Sequence, residues 1–269
     1  MKATMSFVLG IDIGSAYSKG ILLEDQKRLS SFQCPSGGDF KLTAERVREA
    51  LLAKSGLSSR DISYTVATGF GSSLVAYADE VKTDVSSHGK GVFHLYPSVR
   101  TVIDVGDLYS KVLKIDGHGN VVNFVLSGKC AGGSGRILQI IAKVLQVKIE
   151  EIGRLSLKSK NRVEFNTGCV VFAESEAVSR IAEGASKEDL LAGIHRALAG
   201  QLHSLAERLT VENDLALVGG GAKDIGLVKA LEEISEREIV VPPEPHMTAA
   251  LGAALFAGGA LKSLKRSED

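Results

Sequence analysis

The sequence predicts an α/β protein built from two similar domains. Each half of the chain begins with three predicted strands, and amphipathic helices follow them. The first strand of each half ends in an Asp-x-Gly motif, at Asp12–Gly14 and again at Asp104–Gly106. Internal repetition at this scale indicates a duplicated structural unit.

The first half reads as a three-stranded start followed by alternating helices and strands. An apolar run at residues 7–13 predicts the first strand, Lys19–Leu23 the returning strand and Leu29–Cys34 the third. After these we expect an amphipathic helix at Leu42–Lys54, a strand at Asp61–Ala67, a short helix at Leu74–Ala78 and an irregular crossing at Gly89–Ser98.

The second half repeats the order. Strands are predicted at 100–107, Ser110–Ile115, Val121–Leu126, Leu215–Val218 and Ile239–Val241, with helices at 137–145, Val171–Glu183, Glu188–Arg208 and Gly226–Ile234. The apolar run Ala249–Leu261 is short for a membrane span and rich in Gly and Ala, so it predicts a closely packed helix. We expect a first domain of residues 1–97 plus 247–269, and a second of residues 98–246.

Composition narrows the function classes. The 269 residues balance 32 Lys and Arg against 32 Asp and Glu, which leaves no electrostatic footprint for nucleic acid or an acidic membrane. The chain has no Trp and 5% aromatic residues, which argues against base-stacking surfaces. Its three cysteines are too few for a disulfide framework, and no signal peptide is recognised, so we expect a cytoplasmic protein without nucleic-acid or membrane partners.

Glycine-rich turns suggest phosphate binding. The turn at Gly14 and Ser15 exposes backbone N–H groups that can hold a phosphate, and Asp12 at the strand end can position a hydrated Mg²⁺. Lys19 on the returning strand either reaches a phosphate or faces solvent. A purely structural turn is the alternative for this motif. The triple glycine Gly219–Gly221, between a strand and a helix, lets the backbone approach a ligand closely.

Two cysteines each precede a predicted helix. Cys130 lies in the glycine-rich segment Gly128–Arg136, and Cys169 ends the segment Asn166–Cys169. A helix N-terminus favours the thiolate, so two such thiols suggest a site for a soft ligand. The structural alternative is a glycine-rich turn with an incidental buried cysteine. Cys34 lies on a predicted strand, where core packing is expected.

The motifs together resemble a known group of proteins. Asp12–Ser15, Asp104–Gly106, Gly219–Gly221 and Gly252–Ala254, in this order, resemble the actin/Hsp70/sugar-kinase ATPase superfamily. More closely, four segments are similar to the activator ATPases of 2-hydroxyacyl-CoA dehydratases and the ATPase subunits of benzoyl-CoA reductases, the BadF/BadG/BcrA/BcrD ATPase family. These segments are Lys129–Arg136, Cys169–Glu176, Ala67–Gly71 and Ala192–Arg196.

This resemblance implies two ribonuclease-H-like domains with mixed five-stranded sheets and a nucleotide cleft between them. It also implies a [4Fe-4S] cluster shared by two subunits and held by Cys130 and Cys169 of each. ATP turnover in such proteins drives low-potential electron transfer to an acyl-CoA dehydratase or reductase, with a ferredoxin or flavodoxin as electron donor. The number of ligands agrees with a cluster shared by two subunits, because a cubane cluster takes four thiolates and this chain offers two on predicted helices. A homodimer and a heterodimer with a related ATPase subunit both fit.

The resemblance also implies roles for individual residues. The expected catalytic residues are Asp12, Asp104 and Asp107, and the expected ATP, ADP and Mg²⁺ contacts are Gly14, Ser15, Lys19, Gly106, Gly219, Gly220, Gly221 and Ala222. His88 and His195 match family positions without an assigned chemistry. The six histidines show no metal-ligand spacing.

The second motif departs from the family pattern. Activator ATPases usually continue it with Gly-Gln-Asp, whereas this chain has Asp107-Leu108-Tyr109. Leu108 can neither orient water nor donate to a phosphate, which predicts ATP binding with slow hydrolysis unless Asp107 or a neighbouring loop positions the water. Two other functions remain open: a small-molecule kinase, which would need no paired cysteines, and a nucleotide-binding interaction subunit without hydrolysis.

Overall fold

The computed structural model describes residues 6–128, 131–165, 170–212 and 214–268. The chain divides into two compact units, one of Met1–Pro97, Gly117–Val121 and Met247–Asp269, the other of Ser98–Asp116 and Val122–His246. The division therefore groups the hairpin turn Gly117–Val121 with the first unit. The residues that carry the two cysteine motifs, Cys130 and Cys169, lie outside the described residues.

Strands and helices follow one another in the order that a duplicated α/β unit requires. The strands are β1 (Phe7–Ile13), β2 (Tyr17–Glu24), β3 (Lys27–Pro35), β4 (Ile62–Thr68), β5 (Glu80–Val81), β6 (Thr101–Val105), β7 (Ser110–Ile115), β8 (Val121–Leu126), β9 (Leu215–Val218) and β10 (Ile239–Val240). The helices are α1 (Phe40–Ser55), α2 (Asp84–Leu95), α3 (Arg136–Val144), α4 (Ile152–Ser156), α5 (Val170–Ala182), α6 (Lys187–Glu207), α7 (Ile225–Ser235) and α8 (Thr248–Glu268).

The two sheets share one topology. Each is five-stranded, with the order β3-β2-β1-β4-β5 in the first unit and β8-β7-β6-β9-β10 in the second. The first hairpin is antiparallel in both, whereas β4 and β9 run parallel to β1 and β6, so both sheets are mixed. The predicted fold class, two duplicated domains with mixed five-stranded sheets, is confirmed.

The first sheet is covered on both faces because β1 is apolar on both. Leu9, Ile11 and Ile13 alternate along one face and join the cluster that contains Val47 and Leu51 of α1. The opposite face packs against α8 through a second buried cluster. Cys34 is buried in the α1 cluster, as the sequence predicts, and burial raises the pKa of its thiol.

Helix α8 packs closely on the first unit because small residues line it. A Cβ atom built on Gly252 would lie 1.8 Å from the carbonyl oxygen of Ser87 in α2, so only glycine permits this approach. Residues Pro245–Ser267 are long and apolar enough to cross a membrane by length and composition alone. Their packing against α2, β1 and β4 is that of a core helix, which agrees with the sequence prediction.

The core of the second unit lies between its sheet and its helices. One buried cluster joins the β6 residues Ile103 and Val105 to helical residues of α3, α5 and α6, among them Ile141, Ala177 and Leu198. Helix α3 contacts both α5 and α6. The two helices that follow the cysteines in sequence therefore share a hydrophobic core.

Two local predictions are wrong. The helix expected at Leu74–Ala78 is a single 3₁₀ turn at Ser72–Leu74. The irregular crossing expected at Gly89–Ser98 belongs largely to α2, which begins where the Thr83 side chain caps the backbone N–H of Ser86. Glycines at 89 and 91 lower helix propensity, but packing against α8 overrides that preference.

Candidate functional site

The first candidate loop, residues 14–16, connects β1 and β2 and lies beside a buried ion pair. The hairpin register places Asp12 opposite Lys19, and the Lys19 ammonium lies 2.8 Å from Oδ2 of Asp12. Asp12 is buried and Lys19 is partly buried, so Lys19 does not simply face solvent. A Cβ atom on Gly14 would lie 3.3 Å from the Lys19 Nζ atom, which puts the positive charge directly beside the turn.

The second candidate loop, residues 106–109, repeats this arrangement. Asp104 lies opposite Lys111, and the Lys111 Nζ atom is 3.0 Å from Oδ2 of Asp104. The repeat extends beyond Asp-x-Gly, because Asp12–Lys19 and Asp104–Lys111 both read Asp-(Ile/Val)-Gly-x-x-Tyr-Ser-Lys. Lys111 was not among the residues predicted from the sequence. The signal that identifies it is its spacing from Asp104, which equals the spacing of Lys19 from Asp12.

A glycine supports each buried carboxylate from the neighbouring parallel strand. Gly69 follows β4 with φ +89°, and Gly219 follows β9 with φ +85°. A Cβ atom would lie 2.2 Å from Oδ1 of Asp12 at Gly69, and 2.3 Å from Oδ1 of Asp104 at Gly219. Both positions therefore require glycine, because the backbone is left-handed and a side chain would collide with the carboxylate. Gly69 is a further residue of this arrangement that the sequence analysis did not single out as a site.

The triple glycine leads from β9 into α7 and leaves space beside its middle residue. A Cβ atom on Gly220 would meet nothing within 4 Å, whereas one on Gly221 would lie 2.4 Å from Cγ1 of Val105. Ala222, by contrast, is buried in the core of the second unit. This segment therefore offers an open stretch of backbone at Gly220, flanked by two glycines that cannot accept a side chain.

Asp224 fixes the helix that follows the triple glycine. Its Oδ1 atom accepts hydrogen bonds from the backbone N–H groups of Gly226 and Leu227 at 2.8 and 3.3 Å, which caps α7. Its Oδ2 atom lies 3.0 Å from Nε2 of His195, a residue of α6 that is 1% exposed. His195 therefore positions Asp224 and the start of α7. This contact gives that histidine a structural role that its sequence alone did not reveal.

His88 has a comparable structural role in the first unit. Its Nδ1 atom lies 2.8 Å from the hydroxyl of Thr248, and both side chains are buried. The contact joins α2 to the beginning of α8, which also approach each other at Gly252. Within the part of the chain that the structure describes, no group of three or more His, Cys, Asp and Glu side chains is arranged to hold a metal ion.

Asp107 is engaged by the start of α3. Arg136 Nη2 donates to Oδ2 of Asp107 at 2.6 Å, and Gln139 Nε2 donates to Oδ1 at 3.1 Å. Two further bonds run alongside, from Ser134 Oγ to the Asp107 carbonyl at 2.8 Å and from the Gly135 N–H to the Gly106 carbonyl at 2.9 Å. Hydrogen bonding to Asp107 raises the pKa of the Arg136 guanidinium. The carboxylate that the sequence placed beside a phosphate is thus held by two side chains.

The predicted site residues fall into groups within each unit. Asp12, Gly14, Ser15 and Lys19 meet at one end of the first sheet. In the second unit, Asp104 and the second loop lie next to Gly219–Gly221, since β6 and β9 are parallel neighbours and Gly219 adjoins Oδ1 of Asp104. The predicted metal ligands Cys130 and Cys169 lie outside the described residues, immediately before the segments that lead into α3 and α5.

Comparison with known proteins identifies the relatives of this chain. The model of the BadF/BadG/BcrA/BcrD ATPase family matches residues 9–257. The 2-hydroxyisocaproyl-CoA dehydratase activator of Clostridioides difficile is 40% identical over 93% of this chain and 94% of its own length. The (R)-2-hydroxyglutaryl-CoA dehydratase activating ATPase of Acidaminococcus fermentans is 38% identical over 93% of this chain and 96% of its own.

A solved structure agrees over the same extent. The activator of the 2-hydroxyisocaproyl-CoA dehydratase from Clostridium difficile, with bound ADPNP, superimposes with a TM-score of 0.93 at 40% sequence identity. The match covers 97% of this chain and 97% of that one. The resemblance inferred from the sequence motifs is thereby confirmed.

Proposed function

Because the chain belongs to the BadF/BadG/BcrA/BcrD ATPase family, we propose that it is an ATP-dependent activator that donates low-potential electrons to an acyl-CoA enzyme. The partner is a dehydratase of 2-hydroxyacyl-CoA or a reductase of the benzoyl-CoA type. A ferredoxin or flavodoxin in the cytoplasm reduces the activator. The observation that carries this proposal is the duplicated loop, a buried Asp–Lys pair beside a glycine turn in each unit.

ATP and Mg²⁺ are the ligands that fit these loops. Backbone N–H groups at Gly14, Ser15 and Gly106 offer hydrogen bonds to phosphate oxygens, and Lys19 adds positive charge at the first turn. Asp12 and Asp104 would hold water molecules of a hydrated Mg²⁺ through their carboxylate groups. The open backbone at Gly220 accommodates the nucleotide without displacing a side chain.

Hydrolysis by the isolated protein is expected to be slow. Leu108 lacks any group to orient water, and both Asp107 oxygens already accept hydrogen bonds from α3. Positioning of the attacking water is a large part of phosphoryl-transfer catalysis. Among the three proposed catalytic carboxylates, Asp12 and Asp104 therefore act through Mg²⁺, and Asp107 reaches the water only if α3 releases it.

The donor set of the chain fits a shared cluster. In sequence, Cys130 and Cys169 precede two helices, α3 and α5, whose buried faces belong to a single hydrophobic cluster. Two thiolates from each of two subunits satisfy the four positions of a [4Fe-4S] cluster. When bound, the cluster supplies one-electron transfer at low potential. A helix N-terminus favours negative charge, and Cys169 directly precedes α5 in sequence.

Anaerobic purification tests the proposal. We expect a brown protein whose visible absorption and iron are lost in Cys130→Ala and in Cys169→Ala, while Cys34→Ala, a matched control buried in the first unit, keeps both. Isothermal titration with ATP and Mg²⁺ should show binding in all four proteins, since the phosphate loops are intact. Full iron content in either of the first two variants, or no binding of ATP by the wild type, contradicts the proposal.

A further inference from the structure

Asp107 links two segments that the proposed function treats separately, the second loop and the start of α3. Its Oδ2 atom accepts a hydrogen bond from Arg136 and its Oδ1 atom accepts one from Gln139, and these two residues lie one helical turn apart on the same face of α3. Beside it, the Ser134 hydroxyl donates to the carbonyl of Asp107 and the Gly135 N–H donates to the carbonyl of Gly106. Four hydrogen bonds therefore fasten the loop to residues 134–139, a short distance along the chain from Cys130.

The first loop is supported in another way. The Gly14 carbonyl accepts a hydrogen bond from Ser36 Oγ at 2.6 Å, and the Ser36 N–H donates to the Ala16 carbonyl at 2.9 Å. Ser15 occupies the position that Asp107 has in the repeat, and its hydroxyl carries no charge and cannot form an ion pair. The charged connection from loop to helix thus distinguishes the second loop from the first.

The Asp107–Arg136 pair is placed to respond to an anion. The side chain of Asp107 is 10% exposed, whereas that of Arg136 is 48% exposed and has room to turn. A phosphate beside the loop repels the carboxylate and attracts the guanidinium, which binds phosphate and carboxylate in the same bidentate manner. Occupancy of the loop therefore changes the force that the pair exerts on the first turn of α3.

We propose that Asp107 is a positioning residue that couples occupancy of the second loop to the first turn of α3. This inference rests on the proposed function, because it takes ATP as the ligand of the loop. The coupling depends on a residue found only in the second loop, because Ser15 stands at the corresponding position of the first. Movement of the loop and movement of α3 are linked while the ion pair is intact.

Hydrogen exchange measured by mass spectrometry tests the coupling without any assay of turnover. The anaerobically purified protein is compared without nucleotide and with ADPNP and Mg²⁺, and peptides covering residues 105–111 and 134–144 are followed. In the wild type we expect both peptides to change, with a change of roughly fivefold or more in the exchange rates of the α3 peptide. In Asp107→Ala and in Arg136→Met we expect ADPNP to change the exchange rates of the loop peptide but not those of the α3 peptide.

Three further variants make the result decisive. Asp107→Asn keeps the side-chain shape and can still bond Gln139, so it should retain the fold and lose most of the coupling. The double variant Asp107→Arg, Arg136→Asp swaps the two charges and should restore part of the coupling. Lys229→Met removes an exposed ion pair with Glu232 on α7 and should behave as the wild type.

The outcomes separate the inference from the proposed function. The inference is overturned if ADPNP binds and the α3 peptide changes equally in the wild type and in all Asp107 variants. The proposed function is then unaffected. Failure of the wild type to bind ADPNP, measured by titration of the same samples, overturns both. Loss of the α3 response in the Asp107 and Arg136 variants alone, with ADPNP still bound, supports the coupling.

Discussion

Lys111 forms a buried ion pair with Asp104, with 3.0 Å between Nζ and Oδ2 and with both side chains less than a tenth exposed. Lys19 and Asp12 form the same pair in the first unit, where the lysine is 14% exposed. The seven-residue spacing follows from the hairpin, which sets each aspartate opposite its lysine. Each pair therefore places a fixed carboxylate and a fixed ammonium beside a glycine turn.

Removing one partner of the buried pair should destabilise the protein strongly. Lys111→Met leaves the Asp104 carboxylate buried without its ammonium, and we expect the free energy of unfolding to fall by about 3–5 kcal/mol. The double variant Asp104→Asn, Lys111→Met should recover part of that loss, since no charge is then left unpaired. Urea unfolding followed by circular dichroism measures both. Equal stability of Lys111→Met and wild type contradicts the assignment.

Two adjacent glycines should respond differently to alanine. Gly219→Ala puts a Cβ atom on Oδ1 of Asp104 at a positive φ and should cost roughly 1–3 kcal/mol of stability. Gly220→Ala, the matched control, enters open space at φ −65° and should leave the melting temperature unchanged. Because the nucleotide is proposed to occupy that space, Gly220→Ala should still weaken ATP binding. Equal melting temperatures of the two variants count against this geometry.

The stability of the protein should fall at acidic pH in a way that depends on Asp189. Hydrogen bonds from the hydroxyls of Ser159 and Ser186 and from the backbone of Asn161 hold the pKa of its carboxyl well below its usual range. A lowered pKa stabilises the fold above the unfolded value, about 3.9, and this contribution is lost as pH falls toward the folded value.

The test compares Asp189→Asn with the wild type in urea at neutral and acidic pH. We expect the variant to be less stable at neutral pH and the difference to shrink below about pH 4. The bonds of Asp189 also anchor residues 159–161, which lie a few positions before Cys169 in the chain. A stability difference that is unchanged between the two pH values contradicts the prediction.

Cys34 should be slow to react in the folded protein. Burial raises the pKa of its thiol, so the reactive thiolate is scarce at neutral pH. Alkylation with iodoacetamide should therefore require alkaline pH or urea, as read by mass spectrometry of the peptide that contains it. Rapid labelling of Cys34 at neutral pH without denaturant argues against its packing in the α1 cluster.

ATP hydrolysis should be limited by the second loop. Restoring polar side chains in Leu108→Gln, Tyr109→Asp should raise steady-state turnover by on the order of tenfold or more, because water can then be positioned. Affinity for ATP should change little, since the backbone of both loops is retained. Rapid turnover by the wild type that the variant does not improve contradicts the account of the loop.

Much of the fold was predictable because its signals are local. The Asp-x-Gly repeat and the turn at residues 116–120 predicted the strands and their duplication, and β7, β8 and β9 were predicted at their observed bounds. Helix α2 was missed because its support is tertiary. Two glycines weaken the helical pattern of residues 84–95, and packing against α8 outweighs them.

The site was predictable only where it repeats or follows a motif. Asp12 and Asp104 stand out in the repeat, and Lys111 could have been found by extending the Asp-x-Gly repeat by five residues. The contact of Gly69 with Asp12 and the bonds of Asp107 to Arg136 join positions far apart in sequence. Such contacts depend on which segments become neighbours in the fold, and no local sequence pattern predicts that.

Native mass spectrometry of the anaerobically purified protein tests the central claim most directly. We predict a dimer that carries about four iron atoms and four sulfides in total, because each chain contributes the two thiolates of Cys130 and Cys169 to one shared cluster. Cys130→Ala should appear without this added mass. A monomer that retains the cluster, or an iron-free wild-type dimer that still binds ATP, contradicts the account.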